Sequence, residues 1–521
     1  MKNKIISIIK TILLVAFPVL VLLLSLHGIK GNPTESTLNN PIWKDEGPLE
    51  LSPDRGRFAL MYSIVESNSF QFSLPIARFA APDVAFYNGQ YVSLFAPAVS
   101  FLVAPGYLIG KAFGASQVGA FAVIALFGLM NMFLIRAIVS SLTKNKLAGT
   151  LAGFIFLFAT PAFPYAVTLY QHHVTTFLVL FSIYILTKSD SLLVIGSVLF
   201  MCALSIPVDN PNAIFMFPIG LYAVLKLFKL ETLTEKIKIR VRYFGVLSIL
   251  LAVIPMLLMF AFDQISHGQP FKLSGTLQAV KIIGDNGKPV ISPQSQKDDP
   301  KTTLQAETKQ KTATGFFKTR NMLNGFYIHL VSPDRGTLIF APIIFFGFLG
   351  LVRFPKKYTA IGVVTFAVAG SIFVLYSMWG DPWGGWAFGS RYMIPAYAAM
   401  SIFLGVALVR IAKNYLLSFL FALVVLYSLS VNALGAVTTN RNPPQVEAVA
   451  LQETSRRIEN YSYDRNWEFL MSNRSKSFVF QNYLSTSMNA QDFYFLVVAI
   501  NIVVFLPLFT YFVYTTRKSK K

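Results

Sequence analysis

Twelve apolar runs dominate this chain: residues 6–27, 117–140, 148–165, 173–187, 191–207, 212–228, 243–263, 336–353, 359–378, 393–411, 414–434 and 493–513. A helix needs about 20 apolar residues to cross the hydrocarbon of a bilayer, and a soluble core cannot hide so many runs of this kind. Composition agrees, with 54% hydrophobic and only 13% charged residues, against the roughly 25% charged residues of a soluble domain. The predicted fold class is an all-α polytopic membrane protein with about 12 transmembrane helices. The first run follows Met1–Lys4 as a signal peptide would. It is longer than a typical signal core and no small-x-small site follows His27, so it reads as an uncleaved first span.

Charge distribution supplies the orientation. The net charge of +21 would suit a nucleic-acid binder only if it formed a continuous basic face. Instead it falls into short clusters: Lys2, Lys4 and Lys10, then Lys144 and Lys146, Lys188, Lys226 to Arg242, Arg353 to Lys357, Arg410 and Lys413, and Arg517 to Lys521. With twelve spans all of them land on one side, which the positive-inside rule makes cytoplasmic together with both termini. The opposite side then holds three long loops, 28–116, 264–335 and 435–492, and three short ones, 166–172, 208–211 and 379–392. The expected division is a transmembrane module over 1–434, which includes the first two long loops, followed by an outer loop and last helix over 435–521. Pro293 to Pro300 has the composition of a mobile tract. The lone cysteine, Cys202, excludes an internal disulfide and any cysteine-based metal site.

The first outer loop is more than a linker. Ser52-Pro53-Asp54 carries the N-cap, proline and acidic first-turn signals of a helix start. Phe58, Met61, Tyr62 and Val65 follow at helical spacing as an amphipathic stripe. Tyr91 to Gly110 is apolar, yet counting it as a span would reverse every later loop, so one or two interfacial or re-entrant helices are expected there.

These features resemble the GT-C glycosyltransferases, membrane enzymes that take sugars from polyprenyl-phosphate carriers and include protein O-mannosyltransferases and the lipid A aminoarabinose transferase. The resemblance rests on the long first outer loop with an acidic residue beside an amphipathic helix. It rests also on an ordered set of phrases over roughly residues 6–411: Arg57-Phe58-Ala59-Leu60, Asn88-Gly89-Gln90-Tyr91-Val92-Ser93, Ala96-Pro97, His173 at a span start, Val208-Asp209-Asn210-Pro211, His267 to Phe271, Ser332-Pro333-Asp334-Arg335-Gly336, and Trp383-Gly384-Gly385-Trp386 running to Gly389-Ser390-Arg391-Tyr392. One departure stands out. Relatives often read Ser-Asp-Lys-Ala-Pro where this chain has Ser93-Leu94-Phe95-Ala96-Pro97, so an Asp-Lys pair that would serve the donor phosphate is missing.

Such an enzyme needs a carboxylate to take the acceptor's proton and cationic or backbone donors for the leaving lipid phosphate. By resemblance Asp54 holds the place of the superfamily's catalytic acid, although an Asp in a first turn also stabilises the helix dipole. The same Ser-Pro-Asp-Arg-Gly pentapeptide recurs at 332–336, which favours capping for at least one copy. Asp83 is the second candidate base, its alternative being a turn-forming Asp. Glu66 reads as a solvated helix end. Asp209, between Pro207 and Pro211, would contact donor or acceptor or else cap the next helix, since a carboxylate near hydrocarbon needs a partner. His172 and His173 point about 100° apart on a helix and have no acidic partner one turn away, which argues against a metal site. A phosphate contact is assigned to His173, and no metal ligands are assigned. Arg391, behind a Trp- and Gly-rich turn, is either an interfacial anchor or a phosphate clamp approached by glycine backbone. Arg57 is a second phosphate-binding candidate.

The expected function is transfer of a sugar from a polyprenyl-phosphate-linked donor to an extracytoplasmic glycan, lipid or protein acceptor, by single-displacement inversion with one carboxylate base. No cofactor is required, a divalent cation being left open, and no nucleic acid is involved. Two other classes stay open. A lipid-linked oligosaccharide ligase or polymerase would depend on Arg391 and histidines but not on Asp54. A transporter or lipid flippase would show inverted repeats and charged residues at mid-membrane.

Overall fold

The computed structural model describes residues 2–233, 236–290 and 313–518; the tract 293–300, expected to be mobile, lies outside the described residues. Helices account for most of the chain. They are α1 (Lys2–Ser25), α2 (Ser52–Glu66), α3 (Leu74–Ala80), α4 (Ala98–Ala112), α5 (Ser116–Thr143), α6 (Lys146–Phe158), α7 (Ala162–Ala166), α8 (His172–Leu186), α9 (Leu192–Leu204), α10 (Asn212–Leu225) and α11 (Tyr243–His267). The second half adds the long helices Thr359–Ser377, Ile394–Lys413, Tyr415–Val437 and Ala490–Lys518.

Among the described residues six helices are long and apolar enough to cross a membrane, and seven shorter ones are apolar. Every expected run coincides with one of these, and the additional one is α4. Several of these helices are short. At 13 or 14 residues, α6, α9 and α10 rise only about 20 Å, less than the roughly 30 Å of hydrocarbon. Proline is the common reason. Pro161 stands between α6 and α7, and Pro207 and Pro211 between α9 and α10. Pro342 breaks the 336–353 run into Thr337–Phe340, a 3-10 turn over Pro342–Phe346, and Gly347–Leu351, because it lacks an N–H and clashes with the preceding turn.

The apolar stretch in the first loop is a strand followed by α4, a 15-residue helix folded back against α5. Gly106 and Gly119 make that crossing, since a Cβ on Gly119 would stand 2.1 Å from the Gly106 carbonyl oxygen. Small residues permit such backbone contact between membrane helices. The far face of α4 leaves Phe101, Leu108, Ile109 and Phe113 exposed.

Strands are few. β1 (Gln71–Phe72), β2 (Val84–Tyr87) and β3 (Gln90–Ser93) belong to the first loop; β4 (Phe228–Leu233) and β5 (Lys236–Val241) form a hairpin, and β6 (Ala279–Val280) joins the first three. The sheet order β1-β3-β2-β6 is antiparallel throughout, and Asn88 and Gly89 turn β2 into β3 with positive φ. β6 therefore brings the 264–335 loop onto the first loop. The β4–β5 hairpin was not foreseen in the basic 226–242 segment.

The basic clusters share one end of the bundle. Lys188 donates to Ser141, Lys226 pairs with Asp190 at 2.9 Å, Arg242 donates to the Asp190 carbonyl, and Arg517 donates to the Ala412 carbonyl. The long loops gather at the opposite, loop-rich end. There residues 435–518 interlace with the first loop: Phe478 N–H donates to Leu26, and buried Lys476 pairs with buried Glu50 at 3.3 Å.

Candidate active site

α2 lies under the loop-rich end with most of its surface covered; Phe58, Met61 and Tyr62 of the expected stripe are buried. Asp54 is 1% exposed. It stands in the first turn of α2, where the helix dipole favours an acid, and one of its oxygens meets no protein donor. Burial pushes the Asp54 carboxyl well above the usual carboxylate range; Arg57, then Arg391, oppose the shift, Glu50 adds to it, and the Tyr170 hydroxyl favours the ionised form.

Arg57, one turn along α2 from Asp54, is buried as well. It donates from Nη1 to the Pro53 carbonyl at 2.9 Å and lies 4.2 Å from the centre of the Phe95 ring. Burial lowers its guanidinium affinity for the proton, and Asp209 and Asp54 restore it in that order. Phe95 is one of the two residues, with Leu94, that stand where an Asp-Lys pair was expected. Gly56 makes room for it, as a Cβ there would stand 2.4 Å from the Phe95 ring. The ring thus fills the place beside Arg57.

Arg391 is 8% exposed. Nη2 donates to the Gly384 carbonyl at 2.7 Å, and the guanidinium lies 5.0 Å from the Tyr170 ring centre and 5.6 Å from that of Tyr392. Its Nε and Nη1 have no protein acceptor. The expected glycine approach takes a different form here. Gly384 (φ 72°) and Gly385 (φ 64°) adopt left-handed backbone and wrap the turn over Arg391 itself, a Cβ on Gly384 standing 3.3 Å from Arg391 Nε.

Asp209 closes the group. Its carboxylate accepts from Gln171 Nε2 at 2.9 Å; burial raises its pKa, with Arg57 the main opposing influence. It does not cap α10, whose start has no side-chain cap. Four sequence candidates from three distant segments, Asp54, Arg57, Asp209 and Arg391, thus form one buried charged cluster, with Tyr170 and Tyr392 against Arg391 and Tyr376 stacked on Tyr392.

Two candidates stand elsewhere. Asp83 is half-buried and acts on Arg55, whose guanidinium donates to the Phe79, Ala81 and Glu50 carbonyls. Asp45 acts on Arg55 more strongly and Asp54 less so, while Asp83 is not among the charges that act on Asp54, Arg57 or Arg391. His173 is correctly at the start of α8 but turned into the packed interior. Its Nε2 bonds the Ala162 carbonyl at 2.7 Å and its Nδ1 faces Asn131 at 3.4 Å. Its neighbour His172 faces the charged cluster instead, stacked on Tyr170 with Nε2 unpartnered. No local feature of the pair decides which ring faces inward.

The second Ser-Pro-Asp-Arg-Gly copy is scaffolding. Arg335, fully buried, donates to the carbonyls of Trp383, Asp334, Gly385 and Asn442 at 2.8–3.1 Å. Asp334 accepts from Gln445 N–H at 3.0 Å, capping the helix Gln445–Ser455 rather than its own. Glu50 was also missed. It accepts from Thr439 Oγ1 and Asn440 N–H and pairs with Lys476, partners hundreds of residues away that no local pattern announces. Among the described residues no three His, Cys, Asp or Glu side chains converge to hold a metal ion.

No known protein family matches the chain, and no curated protein does so either. Among solved structures, the crystal structure of ArnT from Cupriavidus metallidurans in the apo state aligns at 14% identity and TM-score 0.46, over 95% of this chain and 77% of that one. The same protein bound to undecaprenyl phosphate aligns at 14% identity and TM-score 0.42, over 94% and 76%.

Proposed function

We propose that this chain is a membrane glycosyltransferase that moves a sugar from a polyprenyl-phosphate donor to an acceptor on the side of the long loops, which is extracytoplasmic. The observation that carries this reading is the buried charged cluster itself: two guanidinium groups with unshared N–H donors beside a carboxylate with an open oxygen, at the ends of apolar helices. A lipid phosphate supplies the acceptors that Arg391 lacks and is anionic before and after transfer. Charge-assisted bonds of this type are about twice as strong as neutral ones, and Arg offers a fork suited to phosphate.

In the proposed step an acceptor hydroxyl oxygen bonds to the anomeric carbon as the bond from that carbon to the phosphate oxygen breaks. The hydroxyl proton passes to Asp54. The electron pair of the broken bond leaves with the polyprenyl phosphate, whose charge Arg391 and Arg57 hold. One base and no covalent intermediate invert the anomeric centre. Burial disfavours the charged form of Asp54 and the two arginines oppose that shift, so the carboxyl stands above the ordinary carboxylate range, the direction that suits a proton acceptor. Asp209, held by Gln171, orients the sugar or the acceptor. His173 has no part in this, and Asp83 serves Arg55.

Purified full-length protein incubated with radiolabelled polyprenyl-phosphate sugars tests the reading. Transfer of label to an acceptor or to water is expected. No turnover with any donor, together with substrate flux in proteoliposomes, would replace it with transport.

A further inference from the structure

Gln171 immediately precedes α8 and His172 begins it, and each keeps one buried polar atom without a partner. Gln171 is 7% exposed and donates Nε2 to the Asp209 carboxylate at 2.9 Å, while its amide oxygen Oε1 meets no donor. His172 is 3% exposed, and its Nε2 is equally open. Buried polar side-chain atoms nearly always have a partner in folded proteins. Two open ones on consecutive residues call for something that fills them.

Contacts place both residues in the charged cluster. Asp209, which Gln171 holds, is the acid with the largest effect on Arg57. The His172 ring stacks on Tyr170 with centres 5.8 Å apart and meets Tyr392 edge-on at 6.2 Å. The Arg391 guanidinium lies against those same two rings, 5.0 and 5.6 Å from their centres. His172 and Arg391 thus share both aromatic neighbours, and the charges of Arg391 and Arg57 act on the His172 ring. If the open donors of Arg391 hold the donor phosphate, the group bonded to that phosphate lies beside Gln171 and His172.

We propose that Gln171 and His172 bind the sugar of the donor, Gln171 Oε1 and His172 Nε2 each bonding one sugar hydroxyl. An amide oxygen accepts and cannot donate in any protonation state, so the group that faces Gln171 Oε1 must bring a donor. The phosphodiester and the prenyl chain bring none; of the donor's parts, only the sugar does. Nε2 of a histidine donates or accepts according to its tautomer, and a hydroxyl answers either. The acceptor's attacking hydroxyl is not free for this role, because its proton goes to Asp54 in the step above. This inference rests on the polyprenyl-phosphate donor proposed above, and it adds the residues that read the sugar.

The test measures binding to the whole chain in nanodiscs. The probes are bare polyprenyl phosphate, polyprenyl phosphates carrying hexoses or pentoses, and analogues of the tightest of these that lack one hydroxyl each. The readout is the gain in affinity that the sugar adds over the bare carrier, so changes at the phosphate cancel. Wild-type protein is expected to show such a gain, and to lose about five- to a hundredfold of it when either contacted hydroxyl is missing. His172→Phe keeps the stack on Tyr170 without ring nitrogens, and Gln171→Lys keeps a donor for Asp209 without the amide oxygen. Each should lose a similar factor from the gain, and each should be indifferent to removal of the one hydroxyl that its residue binds. Variants that keep the wild-type gain, or whose losses add in full to those of every deoxy analogue, overturn the assignment. A loss in one variant alone overturns the pair. Should a variant fail to fold, the deoxy series on wild-type protein still decides, since no loss with any analogue overturns the subsite. Wild-type protein that binds the bare carrier and gains nothing from any sugar overturns the subsite alone. Failure to bind the bare carrier overturns the donor class instead, and the subsite with it.

Discussion

Replacing Arg391 by Ala separates a phosphate clamp from a structural anchor. In the structure Arg391 spends one N–H on the Gly384 carbonyl at 2.7 Å and its cationic face on Tyr170 and Tyr392, while Nε and Nη1 stay unshared. The first two interactions bear on stability: about 1.5–3 kcal/mol for a charged hydrogen bond and about 2 kcal/mol for a desolvated cation–π contact. The unshared donors bear on the ligand. Truncating one partner of a buried, hydrogen-bonded charge pair costs about 2–5 kcal/mol, which at 1.36 kcal/mol per decade is about 30- to 5000-fold in Kd. Binding of radiolabelled polyprenyl phosphate to purified wild type and Arg391→Ala should show that loss. Turnover should fall further, since Asp54 then keeps only Arg57 to oppose its burial. Arg391→Lys restores the charge but not the fork, so part of the affinity should return. A folded Arg391→Ala protein, verified by its melting curve, that binds the carrier with unchanged Kd would refute the clamp.

Asp54→Asn should leave carrier binding nearly intact and lower transfer about 10²–10⁴-fold; full activity would make Asp54 a structural residue. Because burial holds the Asp54 carboxyl well above its ordinary range, wild-type stability is fully present below the unfolded carboxylate pKa and is lost as pH rises through the raised folded value. The melting temperature of Asp54→Asn relative to wild type should therefore rise with pH, and the acid limb of wild-type kcat/KM should lie above the ordinary carboxylate range. Arg57→Gln should move that limb further up, since Arg57 opposes the burial effect most. His172→Ala should reduce turnover with little change in stability, whereas His173→Ala should cost stability, about 1–3 kcal/mol for the buried groups left unpaired, as thermal unfolding would show. Arg335→Ala removes a buried cation serving four carbonyls and should cost about 3–5 kcal/mol, read as a lowered melting temperature. Reporter fusions after Asp45, Val280 and Asn460 should all report the extracytoplasmic side; a cytoplasmic signal at any one would break the common sidedness of the charged cluster.

Some of this architecture is local physics and can be read from the chain. Apolar run length sets where helices form, because lipid leaves backbone groups no partner but one another, and every expected run became a helix. Ser52-Pro53 starts α2 because its proline needs no hydrogen bond there. Other features depend on what packs beside them. Ser-Pro-Asp-Arg-Gly occurs twice with the same local signals, yet Asp54 is left open beside two arginines while Asp334 caps the helix Gln445–Ser455. The tertiary neighbours made that difference. His172 and His173 are identical to any periodicity argument, and only Asn131 and the Ala162 carbonyl determine which ring is used up. Asp83 and Asp54 are both acids of one loop, and only the packing that buries Asp54 and leaves Asp83 half-exposed distinguishes them. A sequence specifies where charges can be placed along each helix; the cost of burying them, and hence their chemistry, is set by which groups the fold brings within hydrogen-bonding reach.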